Sequence, residues 1–349
     1  MPSPTSQREL QGPASLLTPQ GELGQAGWSR HPVLDCNLEA ARFYNLRVLQ
    51  RLRIKRWDYY GITTPTHFFS ATLADLGYAG QVFAYVVDLT SGECTEDTLT
   101  IPLGRGILLP RNSTEGESRF TGGDVQFIFR AEAQARHVSV RWPGFGKGRS
   151  LEIEATLAMP PAHESLVIVV PIGRRRFYYN RKVNCLPASG RVTYAGAAHP
   201  LDPRTTLGNL DWGRGVWEYR SFWIWASASG FLPDGRTLGL NLGGGFGHTS
   251  AATENAVILN GRIHKLGRVD IAYTPGDFMR PWRMTSPDGR LEMELTPFKE
   301  RLARTNLLLI TSEVHQMFGR YRGRLITDDG ETVSVEGLAG FSEEHRARW

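Results

Sequence analysis

The densest concentration of side chains able to do chemistry is Leu210-Asp211-Trp212-Gly213-Arg214-Gly215-Val216-Trp217-Glu218-Tyr219-Arg220-Ser221-Phe222-Trp223-Ile224-Trp225. Polar and aromatic residues mix here at the two-residue period of a strand. In an unbroken strand Trp217, Tyr219, Trp223 and Trp225 share one face, and Trp212, Arg214, Glu218, Arg220 and Phe222 the other. An aromatic face inside a barrel suits an apolar ligand. Asp211 or Glu218, if desolvated there, acquires a raised pKa and serves as a general acid. The plainer reading makes the tryptophans core and pairs Asp211 with Arg214.

A second stretch is Asn241-Leu242-Gly243-Gly244-Gly245-Phe246-Gly247-His248, followed by Thr253-Glu254-Asn255. Glycines after a strand cradle phosphate in some folds. No Gly-Lys-Ser/Thr follows and no helix is evident, so this reads as a loop at a barrel mouth, where missing side chains allow close backbone approach. The candidate catalytic residues are therefore Asp211, Glu254 and His248. The candidate ligand-binding residues are Trp212, Arg214, Trp217, Glu218, Tyr219, Trp223, Trp225, Asn241 and Asn255. His248 and His264 lack His-Glu-x-x-His spacing, and there is no Gly-x-Ser-x-Gly. The expectation is a site with no metal and no cofactor.

The elements that must position these residues read as strands. The chain has 349 residues, 41% hydrophobic and 21% charged, with 38 Gly, 20 Pro, 9 Trp, 11 Tyr and 16 Phe. That composition supports a sizeable core and many short strands joined by turns. Alternation over 53–62, 81–87, 125–129, 137–142 and 151–155 predicts antiparallel sheet. Asp234-Gly235, Asn260-Gly261, Asp288-Gly289 and Asp329-Gly330 are hairpin signals. Leu38, Ala41, Leu46, Leu49 and Leu52 fall near helical spacing and predict one short helix. Residues 1–18, rich in Pro, Ser and Gln, read as a mobile tail. No regular strand–helix alternation is present, which argues against a doubly wound fold.

Net charge is +5 and the pI about 9.2. The densest basic cluster, Arg174-Arg175-Arg176 with Phe177, Tyr178, Tyr179, Arg181 and Lys182 after it, reads as a solvated strand edge rather than a nucleic-acid surface. Cys36, Cys94 and Cys185 are odd in number and lack metal spacing. There is no apolar leader and no stretch near the roughly 18 residues of a membrane helix. Cytoplasm is the default location, no nucleic-acid partner or integral membrane segment is expected, and the oligomeric state is left open.

The chain also resembles itself. Trp57-Asp58-Tyr59 matches Trp217-Glu218-Tyr219, and Leu151-Glu152-Ile153-Glu154 matches Leu291-Glu292-Met293-Glu294. Asp211 stands six residues before Trp217, as Glu343 stands before Trp349. Shared order points to duplication. Closure into barrels hides the edges of such sheets. The expected organisation is all-β and mainly antiparallel, with few short helices: a first barrel or barrel-like sandwich over 19–175 and a second over 176–349.

Several of these stretches carry a resemblance. Lys55-Arg56-Trp57-Asp58-Tyr59-Tyr60, Ala74-Asp75-Leu76-Gly77-Tyr78, Leu210 to Trp217, Thr253-Glu254-Asn255-Ala256, His264-Lys265-Leu266, Pro281-Trp282-Arg283 and Thr296-Pro297-Phe298 resemble the family called domain of unknown function 2804. The likeness runs from about residue 19 to the end and brings no established activity. In fold, the duplicated pattern also resembles a group with two lipocalin-like barrels that includes carotenoid hydratases, tocopherol cyclases and fungal cyclising enzymes. That resemblance implies a cofactor-free pocket in which an acid, here Asp211, protonates an alkene, or in which the pocket shapes an apolar substrate. Three functions follow as expectations. The first is binding or carriage of an apolar small molecule, lipid or isoprenoid-like. The second is a cofactor-free cyclase, isomerase or hydratase using a buried carboxylic acid. The third is a carbohydrate enzyme or binding module, since tryptophans also stack on sugars and paired carboxylates hydrolyse glycosides.

Overall fold

The computed structural model describes residues 7–42, 44, 46–307 and 310–349. Two curled antiparallel sheets make up nearly all of it, in the arrangement of two tandem lipocalin-like barrels. In the first, Ile54–Thr63 stands at the centre. On one side it leads through His67–Asp75 and Ala79–Asp88 to Cys94–Pro102. On the other it pairs with Leu207–Val216, which pairs in turn with Arg176–Tyr194 and, beyond it, Leu151–Ala158. The second sheet repeats this plan. Arg220–Phe231 leads through Thr237–Gly244 to Ala256–Leu259 on one side. On the other it pairs with Thr332–Arg348, followed by Ile310–Ile326 and Leu291–Leu307.

The repeat is exact enough to match residues. In the first sheet Asp211 lies opposite Tyr59, and Gly213 opposite Trp57. In the second Glu343 lies opposite Trp225, and His345 opposite Trp223. Asp211 and Glu343 therefore hold equivalent positions, and the two Leu-Glu-x-Glu segments lie in equivalent strands. The structural counterpart of Trp57 is Trp223. Trp217-Glu218-Tyr219 falls in the connection between Leu207–Val216 and Arg220–Phe231. There Arg53 donates to the Trp217 carbonyl at 2.9 Å.

The change-over between sheets thus comes at 217–219, later than the sequence-based division at 175, because Leu207–Val216 is needed to flank Ile54–Thr63. All four Asx-Gly pairs sit between paired strands. The region expected as one helix is two short 3₁₀ turns, Leu38–Ala40 and Arg47–Leu52. Of the expected tail, residues 1–6 lie outside the described residues. Residues 7–18 pack on the body, with Leu10, Leu16 and Leu17 buried. No helix among the described residues is long and apolar enough to cross a membrane.

Each sheet wraps its own apolar core. Tyr60, Ile62, Phe69 and Leu73 turn into the first, and Leu238, Leu240, Met317 and Tyr321 into the second. The opposite faces of the two sheets meet along a seam. Tyr59, Phe68 and Tyr85 pack there against Trp225, Phe318 and Phe341. Phe68 and Phe318 have ring centroids 5.2 Å apart, and Tyr59 and Trp225 5.7 Å. Each buried aromatic ring contributes on the order of 1.5–3 kcal/mol, so the barrels are docked rather than merely tethered.

Candidate functional site

The seam opens into a cavity of about 210 Å³. Strand alternation explains its lining. Trp57 and Tyr59 leave the first sheet on the face away from Asp58 and Tyr60, and Trp223 and Trp225 leave the second on the face away from Ala226 and Ala228. Trp217, from the connection, touches Tyr178 (4.9 Å between centroids), Phe246 (5.0 Å) and Trp223 (5.3 Å). An apolar cavity of about 150 Å³ holds benzene, so this one suits one or two rings rather than a long lipid chain.

Ionisable groups are set into this aromatic wall. Lys182, from the strand beside Asp211, places its Nζ 3.0 Å from Asp211 Oδ2 and 3.5 Å from Glu254 Oε2. The same ammonium lies 3.9 Å from the centroid of the Trp225 ring. Asn180 Nδ2 donates to the other Asp211 oxygen at 2.6 Å. Glu254 arrives from the loop before Ala256–Leu259, and Asn241 donates to its backbone carbonyl at 2.5 Å. Burial raises the Glu254 carboxyl above its usual range; Lys182 pulls it down and Asp211 pushes it up. Gly243 makes room for that carboxylate, because a Cβ there would collide with it.

Across the cavity Glu343 accepts from Gln316 Nε2 at 3.0 Å. Gln316 Oε1 accepts in turn from Arg301 at 3.3 Å, and Arg301 pairs with Glu96 at 2.5 Å. Burial pushes the Glu343 carboxyl up to about 7 against the opposing charges of Arg301 and Lys182. His345, half-buried, lies 3.9 Å from Trp223 and exchanges a hydrogen bond with Ser312 at 2.8 Å. Burial and the Arg301 charge push its imidazole down to about 3, so it is neutral at pH 7.

The repeat gives this arrangement its chemical sense. Asp211 has Lys182 opposite it in the neighbouring strand, and Glu343 has Gln316 in the same relation. One buried carboxylate faces a cation and its counterpart faces a neutral amide. Pairs of carboxyl groups whose environments differ in this way divide acid from base in known active sites. The arrangement suits proton delivery from Glu343 and stabilisation of positive charge by aromatic faces and the remaining carboxylates.

Of the residues singled out from sequence, Asp211, Glu254, Trp217, Trp223 and Trp225 line the cavity. Asn241 stands behind it, accepting from Trp225 Nε1 at 2.8 Å. The others lie elsewhere. Trp212 and Arg214 are one strand position out of phase with Asp211 and so turn into the first barrel. Trp212 packs in its core, and Arg214 pairs with Asp58 at 2.9 Å. Glu218 and Tyr219 are exposed, because the strand is interrupted at 217–219 and their parity no longer applies. His248 is exposed in the glycine loop, with its backbone N–H on the Pro171 carbonyl. Asn255 bonds Gly243 and Gly267 and lines a separate outer pocket. Lys182, Glu343, Gln316, Arg301 and His345 are the additions. The spacing of Glu343 to Trp349 was the available signal for one of them.

A sequence profile for the family described as Domain of unknown function (DUF2804) matches residues 7–349. No curated protein matches the chain. Among solved structures, a protein assigned as AttH from Nitrosomonas europaea is similar over 84% of this chain and 92% of its own, at 15% identity and a TM-score of 0.50. Kievitone hydratase from Nectria haematococca is similar over 84% of this chain and 88% of its own, at 11% identity and a TM-score of 0.46. At such identities the likeness to the first is one of fold, and the second carries no argument.

Proposed function

The chain belongs to the DUF2804 family, and on that premise we propose that its seam cavity is a cofactor-free acid–base site acting on a compact, unsaturated, largely apolar small molecule. The observation that carries this reading is Glu343, a buried carboxyl on an aromatic wall whose strand neighbour is an amide while its counterpart Asp211 has an ammonium. The Glu343 proton passes to one carbon of a substrate double bond, and the π electrons form the new C–H bond. The positive charge left on the neighbouring carbon lies among the faces of Trp57, Trp223 and Trp225, with the Asp211 carboxylate beside them. Loss of an adjacent proton to a carboxylate completes an isomerisation. Attack by a hydroxyl of the substrate or by water, with the oxygen's proton passing back to the Glu343 carboxylate, completes a cyclisation or a hydration.

Simple carriage of an apolar ligand is the weaker reading. A carrier has no use for a buried carboxyl group such as Glu343, which has an amide and, among the described residues, no cation in contact and whose charge is costly to desolvate. Sugar hydrolysis is weaker still, since Asp211 is occupied by Lys182 and Asn180. The test is deuterium uptake from D2O into a panel of compact cyclic alkenes (limonene, α-ionone and 1-phenylcyclohexene), read by mass spectrometry. Wild type is expected to label at least one compound and Glu343→Gln none. Labelling that survives Glu343→Gln in full, or no labelling of any compound by wild type, contradicts the proposal.

A further inference from the structure

An outer pocket of about 630 Å³ shares a wall with the seam cavity. Gly243, Gly244, Gly245 and Gly247 line the outer pocket, and Phe246 lines both spaces. Its ring is held from the cavity side by Tyr178 and Trp217, at 5.4 and 5.0 Å between centroids. The loop is anchored at each end. Gly243 N–H donates to Asn255 Oδ1 at 2.8 Å, and His248 N–H to the Pro171 carbonyl at 2.7 Å. Between the anchors Gly245, Phe246 and Gly247 make no backbone hydrogen bond among the described residues. Gly245 (φ +91°) and Gly247 (φ +66°) hold the left-handed conformation that favours glycine. Side chains there would also press on the Phe222 ring and on Val170, both at 2.7 Å. A bulky ring is thus carried between two glycines in the left-handed conformation and packs from the cavity side on Tyr178 and Trp217.

We infer that Phe246 is the gate through which a small ligand passes from the outer pocket into the seam cavity. This rests on the reading of the cavity as a ligand site, but not on the chemistry done there. Gating loops of this kind set entry and release rates more than affinity. The probe is 2-naphthol, whose two fused rings suit the cavity, followed by stopped-flow quenching of tryptophan fluorescence. Phe246→Ala is expected to speed association and release together, each by about tenfold or more. Phe246→Leu should fall between, and Phe246→Trp should slow both steps; melting curves confirm that each variant is folded. Binding whose rates ignore residue 246 overturns the gate alone. Absence of binding to wild type overturns the gate and the cavity reading together.

Discussion

Replacing Glu343 by Gln should stabilise the protein, and increasingly so as pH rises above about 4.5. The carboxyl titrates near 4.5 when free and about 7 in the folded chain. Between those values the folded state holds a proton that the unfolded state has released, so stability falls as pH rises through that window. At about 1.36 kcal/mol per pH unit, the full loss comes to about 3.4 kcal/mol. An amide keeps the hydrogen bond from Gln316 and has no charge to desolvate. Wild type and Glu343→Gln should therefore melt together at pH 4.5 and separate as pH rises. For a chain of 349 residues the unfolding entropy is about 0.7 kcal/mol per kelvin, so the variant should melt about 5 °C higher at pH 8. Thermal melts followed by circular dichroism, taken as differences across pH 4.5–8, cancel every other titrating group. A difference that stays flat, or that shrinks with rising pH, refutes the reasoning.

Lys182→Met leaves Asp211 and Glu254 buried without their cation, and should cost about 3–5 kcal/mol, with part recovered by adding Asp211→Asn; paired melts at pH 8 measure both. Gly243→Ala drives a methyl group into the Glu254 carboxylate, and should cost about 1–3 kcal/mol and lower turnover, where Gly244→Ala, which meets open space, lowers neither. If positive charge develops among the tryptophans, 1-naphthylmethylamine should bind at least about tenfold more tightly than 1-naphthylmethanol at pH 8. That preference should shrink at pH 5.5 as Glu343 takes up its proton; calorimetric titration reads both values.

Much of the fold was legible because period two and the turn signals act locally. Asn260-Gly261 marks a hairpin whatever surrounds it, and the strand at 151–155 needs only its own alternation. The order of the repeat was legible for the same reason, down to the matching places of Asp211 and Glu343. The site was legible only in part. Asp211, Trp212 and Arg214 looked alike in sequence, yet one residue of phase sends Asp211 to the seam and the other two into the first barrel. Both faces of Arg220–Phe231 are buried, one in a core and one in the seam, so alternation alone cannot say which holds a ligand. Glu343 was legible as the counterpart of Asp211 but not as a site residue, because spacing fixes its strand position but not its desolvation, which comes from docking two sheets far apart in sequence. Lys182 was read with the neighbouring basic cluster at 174–181; its burial beside Asp211 depends on the pairing of Arg176–Tyr194 with Leu207–Val216.

The account turns on one carboxyl group that titrates near neutral pH inside an aromatic cavity. Carbon-13 NMR of protein labelled at the glutamate side-chain carboxyl, with the Glu343 signal assigned by its loss in Glu343→Gln, observes that group directly. The account predicts a titration midpoint close to 7; a midpoint near 4.5 would contradict it.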